Sequence, residues 1–230
     1  MNENKAHYVR KVTSFERMLS YAPFAVVTMV LRINGDITLE QLTEAVGRVQ
    51  ARHLNLRVRL EKDKENNLWF TTENVKDIPV EEVTREDKDQ WLNYHVEASK
   101  VPFEFEERPA IRFYLLKSQK TSEIIILCHH LICDGLSLAY LARDLMTCLG
   151  NPEQKIEALP DPAPINLDNM PKDVGINPIA KYFINRINQQ WSKEPVAFDM
   201  EDYRCINEAY WDQAQHRAIS IELTEPETQR

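Results

Sequence analysis

The sequence predicts an α/β fold built on a mixed sheet, and three observations predict it. The run Ile124-Ile125-Ile126-Leu127-Cys128 is short, β-branched and apolar throughout, the pattern of a strand buried on both faces. It leads through a tight turn into Leu136 to Leu149, where Leu138, Leu141, Ala142 and Leu145 fall on one helical stripe. Phe24 to Ile33 reads as a second strong strand, closed by Asn34-Gly35-Asp36 before another amphipathic helix.

The elements follow in order. Ser14 to Leu19 is a short helix start ending at Tyr21-Ala22-Pro23. After the strand at 24–33, Thr38 and Gln41 form a capping box, and Leu39, Leu42, Val46 and Val49 give that helix its apolar stripe. Arg48 and Arg52 load its C-terminal end, where positive charge is favoured. Leu56 to Leu60 alternates with period two and is expected to pair with Leu68-Trp69-Phe70 across a charged turn. Thr84 to Ser99 reads as a charged surface helix. Pro109 to Leu116 forms a strand that returns through Gln119-Lys120-Thr121 into Ile124 to His130. Six prolines in residues 150–178 mark a linker or surface loop. Asn177-Pro178 then restarts a helix, with Ala180, Phe183, Ile184, Ile187 and Trp191 on its apolar face. Pro195 to Tyr210 reads as irregular, packed by Tyr203, Tyr210 and Trp211. Arg217 to Leu223 alternates like a strand, and Thr224-Glu225-Pro226-Glu227 opens a capped helix three residues before Arg230.

Composition narrows the class. The chain has 230 residues, 43% hydrophobic and 28% charged, which suits one large globular domain or two small ones and argues against disorder. No apolar run approaches a membrane span and the N-terminus lacks a signal-peptide apolar region, so a soluble cytoplasmic protein is expected. The net charge of −8, with no basic segment, argues against nucleic acid as partner. The same charge repels acidic partners unless a local basic patch overrides it. Five glycines, all at least twelve residues apart, exclude GxGxxG and P-loop nucleotide sites. Four cysteines form no CxxC pair; Cys128, Cys133 and Cys148 sit in apolar contexts as free thiols.

The chemistry-bearing stretch is His129-His130-Leu131-Ile132-Cys133-Asp134-Gly135. Adjacent histidines on a strand point to opposite faces, so at most one does solution-facing chemistry and both cannot ligate one metal. Asp134 lies where the chain turns, placed to brace the turn or pair with a cation, and Gly135 suits a turn where a Cβ would clash. Read by themselves, these residues fit equally a satisfied core histidine pair. Cys133 as a nucleophile lacks a paired base in sequence, and no GxSxG elbow exists.

The pattern HHxxxDG resembles the signature of the condensation-domain and chloramphenicol-acetyltransferase-like acyltransferases. Three weaker stretches resemble elements of the same superfamily in the same order: Ser14-Phe15-Glu16-Arg17, Arg52-His53-Leu54-Asn55-Leu56-Arg57, and Pro109 to Arg112. The resemblance implies a two-layer sandwich, a mixed sheet with helices on one face, equivalent to the N-terminal half of a two-domain condensation-type fold. It implies residues 1–150 as the motif-bearing subdomain, 151–178 as linker, and 179–230 as a helix and strand leading into a C-terminal subdomain beyond Arg230. It further implies His130 as general base, with Asp134 held by Arg57 as a buried brace and His129 and Gly135 as support. No metal or covalently bound cofactor is implied, and acyl-CoA or a phosphopantetheine thioester is the substrate. Without the resemblance, Arg57 on an alternating strand reads as a solvated residue and His53 as a helix C-terminal one.

Three functions follow from it. The first is an acyltransferase acting from acyl-CoA or acyl-carrier thioesters on an alcohol or amine, modestly favoured because the domain begins almost at Met1. The second is a nonribosomal-peptide condensation domain joining carrier-bound substrates. The third is a non-catalytic binding relative, which the intact motif argues against.

Overall fold

The computed structural model describes residues 8–160, 177–191 and 198–216. In chain order the elements are β1 (Tyr8–Lys11), α1 (Ser14–Ser20), β2 (Val26–Asn34), α2 (Leu39–Arg52), β3 (Arg59–Lys62), β4 (Leu68–Thr71), β5 (Val80–Thr84), α3 (Gln90–Lys100), β6 (Ile111–Lys117), β7 (Thr121–His129), α4 (Gly135–Gly150), α5 (Pro178–Trp191) and α6 (Met200–Gln213). A four-stranded sheet runs β2-β7-β6-β5, and a three-stranded one runs β1-β4-β3. The larger sheet is mixed, because β5 joins β6 in parallel while the other pairs are antiparallel. The expected α/β class holds.

Strand β7 sits inside this sheet, and every residue from Ser122 to His129 is buried. Cross-strand partners share a face, so Phe113 with Ile126 and Ile111 with Cys128 look one way. Arg112, Tyr114 and Ile125 look the other. Helix α3 covers the second face: Tyr94 meets Tyr114 edge-on at 5.3 Å, and the Arg112 guanidinium donates to the carbonyls of Ala98 and Val101 at 3.4 and 3.0 Å. Helices α2 and α4 pack together on the first face, where Cys128 and Leu141 line one cavity. The helices therefore cover both faces rather than the expected one. A strand apolar on both sides requires that arrangement, since neither face can be left in water.

Helix α4 buries Leu138, Leu141, Ala142 and Leu145, the stripe that its sequence displays. Each leucine removed from water contributes about 2 kcal/mol to holding α4 on the sheet. The expected capping box at Thr38 forms, its hydroxyl accepting from the Gln41 N–H at 3.1 Å, and a second one, not expected, caps α1 through Thr13 and Glu16. Buried Glu123 is satisfied by Arg32 at 2.7 Å and Arg85 at 2.9 Å, which neutralises a carboxylate inside the sheet.

Three elements differ from expectation. The strand expected at Leu56 to Leu60 starts late: a 3-10 turn at Leu54–Leu56 takes its first residue, and pairing begins only at Arg59, with Leu60 opposite Phe70. The charged helix starts at Gln90 rather than Thr84, because Val80–Thr84 adds to the sheet edge beside Phe113. Residues 200–213, expected to be irregular, form α6, with Asp199 as cap accepting from Glu201 and Asp202 N–H groups. Residues 151–160 follow the expected irregular course, strapped to α2 by the Arg48 guanidinium on the Gln154 carbonyl and by the Leu159 N–H on the Arg52 carbonyl. The remainder of the proline-rich segment, 161–176, and the strand and helix start expected at 217–227 lie outside the described residues.

Candidate active site

The site is assembled where β7 ends. His129 is the last strand residue and is fully buried on the α3 face. Its ring lies edge-on to Phe105 at 4.9 Å and to Phe103 at 5.5 Å. The Leu131 N–H donates to its Nδ1 at 3.2 Å, so the ring is held as the neutral Nε2–H tautomer. Burial pushes its pKa down to about 4, with the Ala22 carbonyl partly opposing and neighbouring His130 adding to the fall. Buried among aromatic rings, this imidazole is held in its neutral form at neutral pH.

His130 is the opposite case. Its N–H continues the ladder by donating to the Ala25 carbonyl at 2.7 Å, but its side chain is exposed. The strand places one imidazole in the core and the next in solvent, as alternation requires. Exposed Phe24 and Leu136 stand in the chain beside the same strand ends.

Asp134 ends the turn and caps α4, with Oδ1 accepting from the Ser137 N–H at 2.7 Å and from its hydroxyl at 2.6 Å. Those two bonds, first the hydroxyl and then the amide, hold its carboxyl below the usual range. The expected Arg57–Asp134 brace is absent among the described residues. Asp134 is exposed, and the Arg57 Nε is buried without a hydrogen-bond partner. The physical reason is local: the helix N-terminus offers the carboxylate two short donors three residues away, and it takes them. Gly135 is also corrected. It is the first residue of α4 and a Cβ there would meet nothing within 4 Å, so the turn does not need a glycine.

Sequence reasoning missed a neighbouring cluster. Asp144 of α4 accepts from Arg52 at 2.7 Å and from His53 at 3.1 Å through Oδ2, and from Arg143 at 2.9 Å through Oδ1. Burial raises the Asp144 carboxyl, but the Arg143 and Arg52 guanidiniums outweigh it and keep it below its ordinary value. Burial lowers His53, against the pull of Asp144. The cluster rims a cavity of about 540 Å³ between the end of α2, α4 and the motif turn, walled by Leu54, Leu56, Ile132, Cys133, Tyr140 and Leu141. The one available signal was an aspartate inside the apolar stripe of α4, buried where a helix face should be hydrophobic. Among the described residues no group of three or more His, Cys, Asp or Glu could hold a metal ion.

Residues 14–162 match the family described as condensation domain, covering more than half of the chain and the whole of this site. The chain belongs to the condensation-domain family. The nonribosomal peptide synthetase agiA of Aspergillus flavus is 36% identical over 120 residues, spanning 51% of this chain and 2% of that protein. Surfactin synthase subunit 1 of Bacillus subtilis is 28% identical over 118 residues, spanning 50% of this chain and 3% of that one. Among solved structures, SgcC5 from Streptomyces globisporus aligns with a TM-score of 0.52 at 18% identity, over 81% of this chain and 43% of its own. The first condensation domain of the calcium-dependent antibiotic synthetase aligns with a TM-score of 0.52 at 14% identity, over 66% and 40%. These structures confirm the expected condensation-type fold. The chain spans under half of those two structures and a few per cent of the two synthetases. No helix among the described residues is long and apolar enough to cross a membrane.

Proposed function

We propose that this condensation-domain half carries the general base of an acyl transfer. In this reading His130 takes the proton of an alcohol or amine acceptor as it attacks a thioester held on a phosphopantetheine arm. The observation that carries it is the division of labour at the end of β7, where His129 is buried and neutral while His130 stands in solvent. An imidazole side chain suits proton abstraction, and only the exposed one can meet a substrate. Asp134, engaged at the helix cap, positions the turn and takes no proton; Arg57 acts away from it.

The acyl channel is completed by a second, C-terminal half. Apolar side chains left in water support this: Phe15 is 65% exposed, Met18 61% and Phe24 66%. Ile179, Tyr182 and Phe183 on α5 are exposed as well. Large apolar side chains left in water in such number fit a docking face. The domain division at about residues 150 and 178 belongs to the same reading.

The donor is a carrier-protein thioester or acyl-CoA, which share the phosphopantetheine arm. Similarity to peptide synthetases favours the carrier and amide formation between carrier-bound substrates. The test supplies the whole enzyme with one acyl group on holo-carrier protein and, separately, on CoA. Product from the carrier alone establishes a condensation step, and product from CoA establishes a free-standing acyltransferase. No product from either, with acyl donor bound, leaves the non-catalytic reading standing and overturns this one.

A further inference from the structure

Two thiols bracket the histidine pair. Cys128 precedes it on β7, and Cys133 follows it in the motif turn. Each Sγ lies 3.7 Å from one and the same atom, the carbonyl oxygen of His129. Both thiols are free and both line the cavity beside α4, Cys128 buried and Cys133 half-buried. We propose that Cys128 and Cys133 close to a disulfide on contact with a hydroperoxide, which makes the motif turn a site of reversible thiol oxidation.

The geometry assigns the roles. Cys133 is the sulfur that a small peroxide entering the cavity can reach, so it is oxidised first. Burial pushes the Cys128 thiol well up, and its hydrogen bond with Cys133 pushes in the same direction, so Cys128 stays protonated until the second step. In the first step the Cys133 sulfur attacks one peroxide oxygen, the O–O bond breaks, and the hydroxide or alkoxide expelled takes the thiol's proton and departs as water or an alcohol, giving a sulfenic acid. In the second the Cys128 sulfur attacks that sulfenic sulfur, the S–O bond breaks, and hydroxide departs as water with the Cys128 proton. The two thiols lose two electrons and two protons, and the hydroperoxide gains them.

The closed ring encloses His129, His130, Leu131 and Ile132. If His130 is the base proposed above, the bridge would fix the backbone that presents it. That consequence rests on the proposed function, whereas the disulfide itself does not.

The test is a thiol map that needs no activity. The folded chain is treated with hydrogen peroxide, denatured, labelled with N-ethylmaleimide and digested with trypsin. The peptide from Thr121 to Arg143 contains Cys128 and Cys133 and no other cysteine. The proposal expects this peptide to lose two hydrogens and accept no label, and to accept two labels after dithiothreitol. Cys133→Ser, a change at the half-buried position, abolishes the loss of hydrogens, while Cys205→Ser at the exposed site on α6 leaves it intact. Two labels on the peptide under peroxide that oxidises Cys205 would overturn the proposal. A sulfinic acid at Cys133 with Cys128 still labelled, or a bridge from either to Cys148 or Cys205, would overturn it equally.

Discussion

Replacing the buried histidine of the motif tests the division between the two imidazoles through stability. His129 is fully buried with its ring between Phe103 and Phe105, and its pKa is held at about 4 against an ordinary 6.5. The unfolded chain therefore binds a proton at this position as pH falls through 6.5, while the folded chain does not until about 4. The stability this neutral ring contributes is fully present above pH 6.5 and is lost progressively below it. The gap between the two values amounts to about 3 kcal/mol, of which about 2 kcal/mol is gone by pH 5. In His129→Asn the amide oxygen can still accept the Leu131 N–H, but nothing titrates. Urea unfolding of both proteins at several pH values supplies the measurement. Acidic groups elsewhere titrate in both and cancel in the difference. The expected difference between wild type and variant narrows by about 2 kcal/mol from pH 7 to pH 5. A difference that stays constant over that range would refute the buried neutral histidine and the face assignment built on it.

Three further outcomes follow from the same packing. Asp144→Asn removes the charge that Arg52, His53 and Arg143 share, and should cost about 2 kcal/mol in urea unfolding. The same change should lower the His53 pKa further, read by NMR titration of its ring, since Asp144 is what opposes the effect of burial there. Arg57→Met should leave stability within about 1 kcal/mol of wild type, because its Nε has no partner to lose; a loss of several times that would show that the Arg57 guanidinium is paired in solution.

The centre of the fold was legible because its signals are local and strong. The doubly buried run at 124–128 and the stripe Leu138, Leu141, Ala142 and Leu145 can each be read within one turn or strand, and both appear as expected. The edges were less so. Val80–Thr84 became strand because Phe113 and its neighbours offered a parallel edge, a partner that a sequence window cannot see. Asp199 caps α6 with Asp202 in place of the Ser/Thr and Glu/Gln pair that signals most capping boxes, so that helix read as irregular. At the site, the alternation of His129 and His130 was readable from strand geometry alone. The partner of Asp134 was not, since a helix N-terminus competes with any distant arginine for the same carboxylate. The link from Arg52 and His53 to Asp144 joins residues more than 90 positions apart and leaves no period in the sequence.

The central claim is that His130 takes the proton, and the direct measurement compares two variants of the whole enzyme in single-turnover acyl transfer. The account predicts that His130→Ala, at an exposed position, folds as wild type and loses roughly 10²–10⁴-fold in the transfer rate, the usual contribution of a general base. His129→Asn should lose stability while retaining most of the rate per folded molecule. Full transfer activity in a folded His130→Ala enzyme would contradict the account.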